Sequence, residues 1–246
     1  MTYVVSDIHG NLRRFRSVLK QIRLQPEDTL YILGDVIDRH PDGIRILRMI
    51  MDIPNAQMLL GNHEFMMLRA LGDPYDGIET IQNKTPEELI AHWYRNGGDI
   101  THYFWKHQRK TVRAQIIAYL KALPLNLDVT AGGQTFKLVH GAPLDTYELF
   151  GKHLGQTKAY FAVWNRKLPA LTLQGEATVI FGHTPTEEYQ EDDPLKIWHG
   201  DHMIGIDCGG GYPEQEEPLR GVRQGRLACL RLDDMREFYS GEGICK

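Results

Sequence analysis

The sequence predicts an α/β fold, because short apolar runs that end in polar residues beside glycine alternate with amphipathic helical stretches. Short apolar runs of this kind are typical of strands buried on both faces of a sheet. Strands and helices in alternation imply a layered fold, with helices covering a sheet. The five regular runs are Tyr3–Val5, Leu30–Leu33, Met58–Leu60, Phe136–Val139 and Val179–Phe181.

Apolar residues at helical spacing predict helices after the first two strands, over Leu12–Ile22 and Ile44–Met51. The segment 72–123 differs, since it is polar, rich in aromatic residues and helix-forming, and it predicts a helical insertion or cap over one edge of the sheet. A helical subdomain that contacts no site is the alternative. Strands return from Leu125, with a hairpin turn near Gly132. No linker or repeat divides the chain, so we expect a single domain over 1–246.

Composition excludes several classes of protein. The chain has 246 residues and a net charge of −4, with local acidic charge at Glu214–Glu217, so stable nucleic-acid binding is not expected. No stretch approaches the roughly 18 consecutive apolar residues of a membrane-spanning helix, and no secretory signal is visible at the start. Three scattered cysteines suit a reducing compartment. We therefore expect a cytoplasmic protein without membrane contact.

Polar side chains follow the predicted strands at their carboxyl ends, where open α/β sheets bind ligands. Turn chemistry explains aspartate, asparagine and glycine at such positions, but it does not explain histidine. Four of the eleven histidines lie there together with two aspartates and one asparagine: His9, His63, His140, His183, Asp7, Asp35 and Asn62. Imidazole suits first-row transition ions and carboxylate suits harder divalent ions, so this set predicts a metal site.

Two divalent ions close together form a clamp for displacement at phosphorus, with one carboxylate bridging them. Two such ions beside two carboxylates and a hydroxide leave a net positive charge, which attracts a phosphate. Arg39 and a second arginine would complete the match to a dianion. The residues alone therefore predict phosphate chemistry.

Five motifs follow one another along the chain: Asp7-Ile8-His9-Gly10, Gly34-Asp35-Val36-Ile37-Asp38-Arg39, Gly61-Asn62-His63-Glu64, His140-Gly141 and Gly182-His183-Thr184-Pro185. In this order they resemble the calcineurin-like metallophosphoesterases, and most closely their bacterial and phage branch of serine/threonine phosphoprotein phosphatases. The resemblance spans roughly residues 3 to 209, and Trp164-Asn165-Arg166 is similar to the distal arginine motif of that branch. It implies a layered β-sheet sandwich flanked by helices.

The resemblance also implies a role for each matching residue. Asp7 and His9 would hold the first metal, Asp35 would bridge, and Asn62, His140 and His183 would hold the second. The ions are expected to be Mn²⁺, with Fe²⁺, Zn²⁺ or Mg²⁺ as alternatives, and a water between them is the implied nucleophile.

The remaining implied roles concern the substrate. Arg39 and Arg166 would grip the phosphate oxygens, next to Asn62. His63, paired with Asp38, would keep its proton to higher pH and protonate the leaving group as general acid.

The sequence thus predicts a metal-dependent phosphomonoesterase acting on phosphorylated protein or peptide. Hydrolysis of a nucleotide anhydride, as in dinucleoside tetraphosphatases, is the main alternative. Those enzymes often lack an acid where Asp38 stands and tend to have aspartate where Glu64 stands, which favours the phosphoprotein substrate. A metal-binding module without activity and a metallonuclease are the less favoured hypotheses.

Overall fold

The computed structural model describes residues 1–75, 84–168, 177–213 and 224–241. The described strands form two five-stranded sheets, which confirms the α/β expectation. The first sheet has the order β10-β9-β1-β2-β3, and the second has the order β4-β5-β6-β8-β7. The strands are β1 (Thr2–Val5), β2 (Thr29–Ile32), β3 (Ala56–Met58), β4 (Asn126–Ala131), β5 (Gln134–Val139), β6 (Thr178–Phe181), β7 (Trp198–Gly200), β8 (Met203–Gly205), β9 (Ala228–Arg231) and β10 (Arg236–Tyr239).

The helices follow the predicted periodicity where the sequence showed one. The first two begin and end within two residues of the expected apolar stretches. The α-helices are α1 (Leu12–Ile22), α2 (Gly43–Asp52), α3 (Asn62–Ala70), α4 (Pro86–Arg95), α5 (Gly98–Lys106), α6 (Lys110–Lys121), α7 (Tyr147–Phe150) and α8 (Lys158–Trp164). No described helix has the length and apolar character needed to cross a bilayer.

Parallel pairing within each sheet explains why the polar strand ends converge. Strands β1, β2 and β3 run parallel, as do β5, β6 and β8, so each set has its carboxyl ends at one edge. The expected hairpin is the antiparallel pair β4–β5, which closes around Gly132. The loops that follow six of the ten described strands therefore lie at two neighbouring edges of the sheets.

Alternation along β1 divides the core between two layers. Val4 packs with Leu33, Leu138 and Ile180 between the two sheets, which makes the fold a sandwich. Its neighbours on the strand, Tyr3 and Val5, instead belong to the core beneath the helices on the outer face of the first sheet. The strand is buried on both faces because a layer covers each of them.

The segment 72–123 is helical over α4, α5 and α6, while residues 76–83 and the acidic stretch 214–217 lie outside the described residues. This segment contacts the residues at the strand ends. The Trp93 indole nitrogen donates to the Asp38 carboxylate at 2.8 Å, and the Asp38 amide donates to the Thr101 hydroxyl at 2.9 Å. The alternative of a helical subdomain remote from any site is therefore wrong.

Candidate metal centre

The predicted metal ligands converge at the edges of the two sheets, and all of them are buried. Two groups of side chains present ligand atoms within 4.8 Å of one another: His9, Asp35 and His63 form one, and Asp35, His140 and His183 form the other. Asp35 belongs to both groups. It is thus the side chain that can reach two ions at once.

The two carboxylate oxygens of Asp35 face in different directions. Oδ2 lies 3.7 Å from His9 Nε2, and Oδ1 lies 3.5 Å from His140 Nε2. Asp7 Oδ1 lies 3.8 Å from His9 Nε2 on the first side. Ligands that each sit about 2.1 Å from one ion are separated by roughly 3–4 Å, so these distances suit shared cations.

Backbone carbonyls fix which ring nitrogen of two histidines faces the centre. His9 Nδ1 lies 3.1 Å from the Ile37 carbonyl, and His140 Nδ1 lies 2.6 Å from the Leu33 carbonyl. A carbonyl only accepts, so Nδ1 carries the proton in both rings and the Nε2 lone pair faces the acidic side chains. His183 Nε2 is buried and has no hydrogen-bond partner among the residues that the structure describes. Three imidazole lone pairs therefore meet two carboxylates, which is a donor set that fits divalent metal ions.

Burial favours the neutral form of these histidines and disfavours the ionised form of the carboxylates. Loss of water lowers the pKa of His9 and of His183 well below the ordinary value. Burial, and then the nearby Asp35 charge, raise the pKa of Asp7 to about 6. A cation would relieve both costs, because it takes the imidazole lone pairs and balances the carboxylates.

Unusual backbone conformations concentrate at this centre. Ten non-glycine residues of the described chain have positive φ, a region that costs an L-residue free energy. Six of the ten are residues predicted for the site, namely Asp7, His9, Asp35, Asp38, Arg39 and His183. Strain at so many site positions indicates that the loops are shaped for ligand geometry rather than for their own stability.

His63 belongs to the first group and forms a pair with Asp38, whereas the resemblance implies that His63 donates a proton rather than holding a metal. His63 Nδ1 is 2.7 Å from Asp38 Oδ2, and its Nε2 is 3.9 Å from Asp35 Oδ2. The expected increase in the pKa of His63 is wrong, however. Burial outweighs the nearby carboxylates and lowers the pKa of His63 to about 4, while it raises the pKa of Asp38 to about 7. A bound phosphate dianion would favour the imidazolium again, because an opposite charge at contact raises the pKa of a histidine.

The two predicted phosphate-binding arginines lie at the rim, and both are exposed. Arg39 Nη2 is 3.5 Å from His63 Nε2, and the Arg39 amide donates to the Gly97 carbonyl at 3.0 Å. Arg166 Nη1 donates to the His183 carbonyl at 3.0 Å. Asn62 Oδ1 lies 2.9 Å from His140 Nε2, so its amide oxygen is beside the second group.

Comparison with known proteins identifies the family. The sequence pattern of the calcineurin-like phosphoesterases matches residues 2–201. The chain belongs to this family. As a calcineurin-like phosphoesterase it is a hydrolase of a metal-dependent superfamily, which agrees with the two side-chain groups that share Asp35.

Curated relatives of this phosphoesterase are symmetrical bis(5'-nucleosyl)-tetraphosphatases. The protein from Photorhabdus laumondii is 33% identical over 101 residues, which cover 38% of this chain and 37% of the relative. The protein from Erwinia tasmaniensis is 37% identical over 90 residues, covering 36% and 31%. The match thus spans about a third of the length of these relatives.

Solved structures share the fold at low sequence identity. A candidate diadenosine tetraphosphatase has a TM-score of 0.58 at 18% identity, covering 98% of this chain and 94% of the other. A cold-active protein-tyrosine phosphatase of a Shewanella species has a TM-score of 0.56 at 15% identity, covering 97% and 80%. The phosphoesterase therefore has the same fold as proteins described with different substrates.

Glu64 is a buried residue of the phosphoesterase centre for which the sequence predicted no role there. Its Oε1 accepts the amides of Val36 at 2.9 Å and Ile37 at 3.3 Å, and its Oε2 accepts those of Asp35 at 2.9 Å and Gly61 at 3.2 Å. The carboxylate thereby holds the loop that carries Asp35. The sequence did contain one signal for this role. Glu64 is the third residue of a helix that follows Gly61, which is the capping-box position for a glutamate that accepts backbone amides.

Replacement of Glu64 by glutamine is expected to destabilise the phosphoesterase. The new NH₂ group faces two buried amide N–H donors, and each donor left without an acceptor costs about 1–3 kcal/mol. We expect a loss of about 3 kcal/mol and a fall in melting temperature of roughly 6–12 °C. Glu88→Gln is the matched control, since Glu88 occupies the same position in the exposed capping box of α4. Equal melting temperatures for the two variants would contradict the role of Glu64.

Proposed function

We propose that this phosphoesterase hydrolyses the phosphoanhydride chain of a nucleotide, with dinucleoside tetraphosphates as the substrate class. Asp35, shared by two groups of cation-binding side chains, carries the proposal for hydrolysis at phosphorus. The symmetrical tetraphosphatases among the curated relatives support the substrate class. They favour the nucleotide alternative over the phosphoprotein substrate that the motif resemblance predicts.

In the proposed division of labour, Asp7 and His9 would hold one cation, Asn62, His140 and His183 would hold the other, and Asp35 would contact both. This is the ligand set that the motif resemblance implies. Such ions, when bound, supply Lewis-acid charge and lower the pKa of a water molecule. Mn²⁺ is the proposed ion, since the mixed nitrogen and oxygen donors accept it as well as Fe²⁺, Zn²⁺ or Mg²⁺.

The exposed arginines orient the substrate. Arg39 and Arg166 flank the two groups, and a planar guanidinium can hold two phosphate oxygens at once. His63 lies between Asp35 and Asp38, so it is placed to give a proton to the departing oxygen. Water adds to the attacked phosphorus, the anhydride P–O bond breaks, and symmetrical cleavage of diadenosine tetraphosphate leaves two molecules of ADP.

A phosphorylated serine or threonine is the second candidate substrate, and the Asp38–His63 pair is the observation that favours it. An alkoxide is a far more basic leaving group than ADP, so its departure depends more on a proton donor. The pair is fully buried and braced by Trp93 and Thr101. A proton donor held this firmly is more than the departure of an anhydride leaving group requires.

A direct competition between substrates tests the proposal. The protein is incubated with Mn²⁺ and equal concentrations of diadenosine tetraphosphate and a phosphoserine peptide, and the products are separated by chromatography. We expect ADP as the main product, and we expect a chelator to abolish its formation. Preferential dephosphorylation of the peptide would replace the proposed substrate by the second candidate. Absence of both reactions in the metal-loaded protein would contradict both candidate substrates.

A further inference from the structure

A pocket of about 260 Å³ opens between α3, α4 and α8, and one of its lining residues, Trp164, contacts the ring of His183. Its size is close to the lower end of small-molecule sites, which span roughly 300–1,000 Å³. Six of the lining residues carry aromatic rings or basic groups: Phe65, Arg69, Lys84, His92, Tyr160 and Trp164. We call this the aromatic pocket.

The rings of the aromatic pocket form a continuous series that ends at a predicted metal ligand. Tyr160 and Trp164 are nearly parallel, with centroids 6.0 Å apart and planes 26° apart. His92 lies 5.9 Å from Trp164. On its other side, Trp164 meets the ring of His183 edge-on at 5.9 Å. A ligand in the pocket is therefore one aromatic ring away from the place where phosphate would bind.

Positive charge surrounds the same pocket. Arg69 and Lys84 both line it, and the Arg69 guanidinium lies 5.7 Å from the Phe65 ring centroid. Burial, followed by the charges of Lys84, Arg95 and Arg69, lowers the pKa of His92. An anionic ligand with a flat apolar ring would satisfy both the charge and the aromatic surface.

We propose that the aromatic pocket binds the base of a nucleotide whose phosphates extend toward Arg166 and the two groups that share Asp35. Base stacking on aromatic side chains suits any base, because every base presents a π face. Lys84 and Arg69, which line the pocket, add positive charge that attracts the anionic ligand as a whole. The biological role of this binding rests on the proposed nucleotide function, but the binding itself can be measured separately.

Binding of two ligands that differ only in the base tests the proposal without catalysis. Titration calorimetry on the whole protein compares AMP with ribose 5-phosphate, which carries the same phosphate and sugar. We expect AMP to bind between about five- and 150-fold more tightly, the range that stacking of one base provides. Equal affinities in the wild-type protein would overturn the proposal, whatever the variants show.

Two variants locate the effect. Tyr160→Leu is expected to bring the affinity ratio of the two ligands close to one, whereas Lys84→Gln should weaken both ligands and preserve the ratio. Tyr103→Leu is the matched control, because Tyr103 is a 59% exposed aromatic residue on α5 that does not line the pocket. An unchanged ratio in a Tyr160→Leu protein with wild-type melting behaviour would place the base elsewhere and overturn the proposal.

The same ligands separate this inference from the proposed function. Hydrolysis of diadenosine tetraphosphate together with equal binding of AMP and ribose 5-phosphate would retain the function and reject the aromatic pocket. A clear preference for AMP without dinucleotide hydrolysis would retain the pocket and reject the proposed reaction.

Discussion

Asp35→Asn is expected to lower the turnover of this phosphoesterase by about 10³-fold or more. The asparagine side chain offers one oxygen and no charge, so it cannot contact two cations with two anionic oxygens as Asp35 is placed to do. Metal ions contribute several kcal/mol of charge stabilisation in such reactions, and about 1.4 kcal/mol corresponds to tenfold in rate. Turnover of diadenosine tetraphosphate and of a nitrophenyl phosphate at saturating Mn²⁺ measures the loss.

The metal-free Asp35→Asn protein should nevertheless fold. The amide oxygen of the new side chain would still accept the His63 amide hydrogen bond, which Asp35 Oδ1 now receives at 3.0 Å. Removing one of two neighbouring buried carboxylates also relieves repulsion, since the Asp35 charge raises the pKa of Asp7. We expect the melting temperature without metal to be unchanged or higher, and its increase on adding Mn²⁺ to be lost.

Asp28→Asn is the matched control for Asp35→Asn. Asp28 is a buried carboxylate that binds the N-terminal amine at 2.7 Å, away from the metal centre. Its replacement should reduce stability and leave turnover within about twofold, because no atom near the substrate changes. An Asp35→Asn variant that keeps wild-type turnover would remove the bridging role.

His63→Asn is expected to slow the hydrolysis of poor leaving groups by about 10²–10⁴-fold, the range for loss of a general acid. A nitrophenolate or ADP leaves with less help, so losses with nitrophenyl phosphate and diadenosine tetraphosphate should be at least about tenfold smaller than with a phosphoserine peptide. Steady-state kcat for all three substrates gives the comparison. Metal binding should persist, because Asp7, His9 and Asp35 remain.

Two further variants sharpen the test of His63. Asp38→Asn should give the same pattern in a weaker form, since it removes the negative charge of the carboxylate that lies 2.7 Å from His63 Nδ1. His199→Asn changes an exposed histidine on β7 and should leave all three rates unaltered. Equal losses for the three substrates in His63→Asn would exclude proton donation and leave His63 with a role in positioning or metal binding.

The sequence predicted the metal centre because the side chains of the centre come directly after predicted strands. Asp7, Asp35, His140 and His183 each come within three residues of the end of a strand, and parallel pairing brings such positions together. The positions of five strands and of the first two helices along the chain followed equally well from apolar spacing. These features depend on local pattern and on one general rule of sheet geometry.

The supporting contacts could not be predicted, because they join residues that are distant along the chain. Trp93 and Thr101 reach Asp38 across 55 and 63 positions, and no spacing in the sequence encodes that approach. The pKa of His63 was predicted in the wrong direction for a similar reason. A carboxylate partner can be recognised from a motif, whereas the loss of water that dominates the pKa depends on the packing of the whole centre.

The aromatic pocket was equally hidden in the sequence. Trp164 stands out there only by its place before Arg166, and the aromatic residues of segment 72–123 give no indication of which rings would meet. Rings from α3, α4 and α8 assemble only when the helices pack, so the pocket is a product of tertiary structure.

The central claim is that Asp35 serves two cation sites at once, and counting bound ions tests it most directly. Equilibrium dialysis of the whole protein against Mn²⁺, with elemental analysis of both compartments, gives the number of ions per chain. We predict two ions per chain in the wild-type protein and fewer than two in Asp35→Asn at the same free Mn²⁺ concentration. A wild-type protein that binds one ion or none at saturation, or a variant that still binds two with equal affinity, would contradict the account.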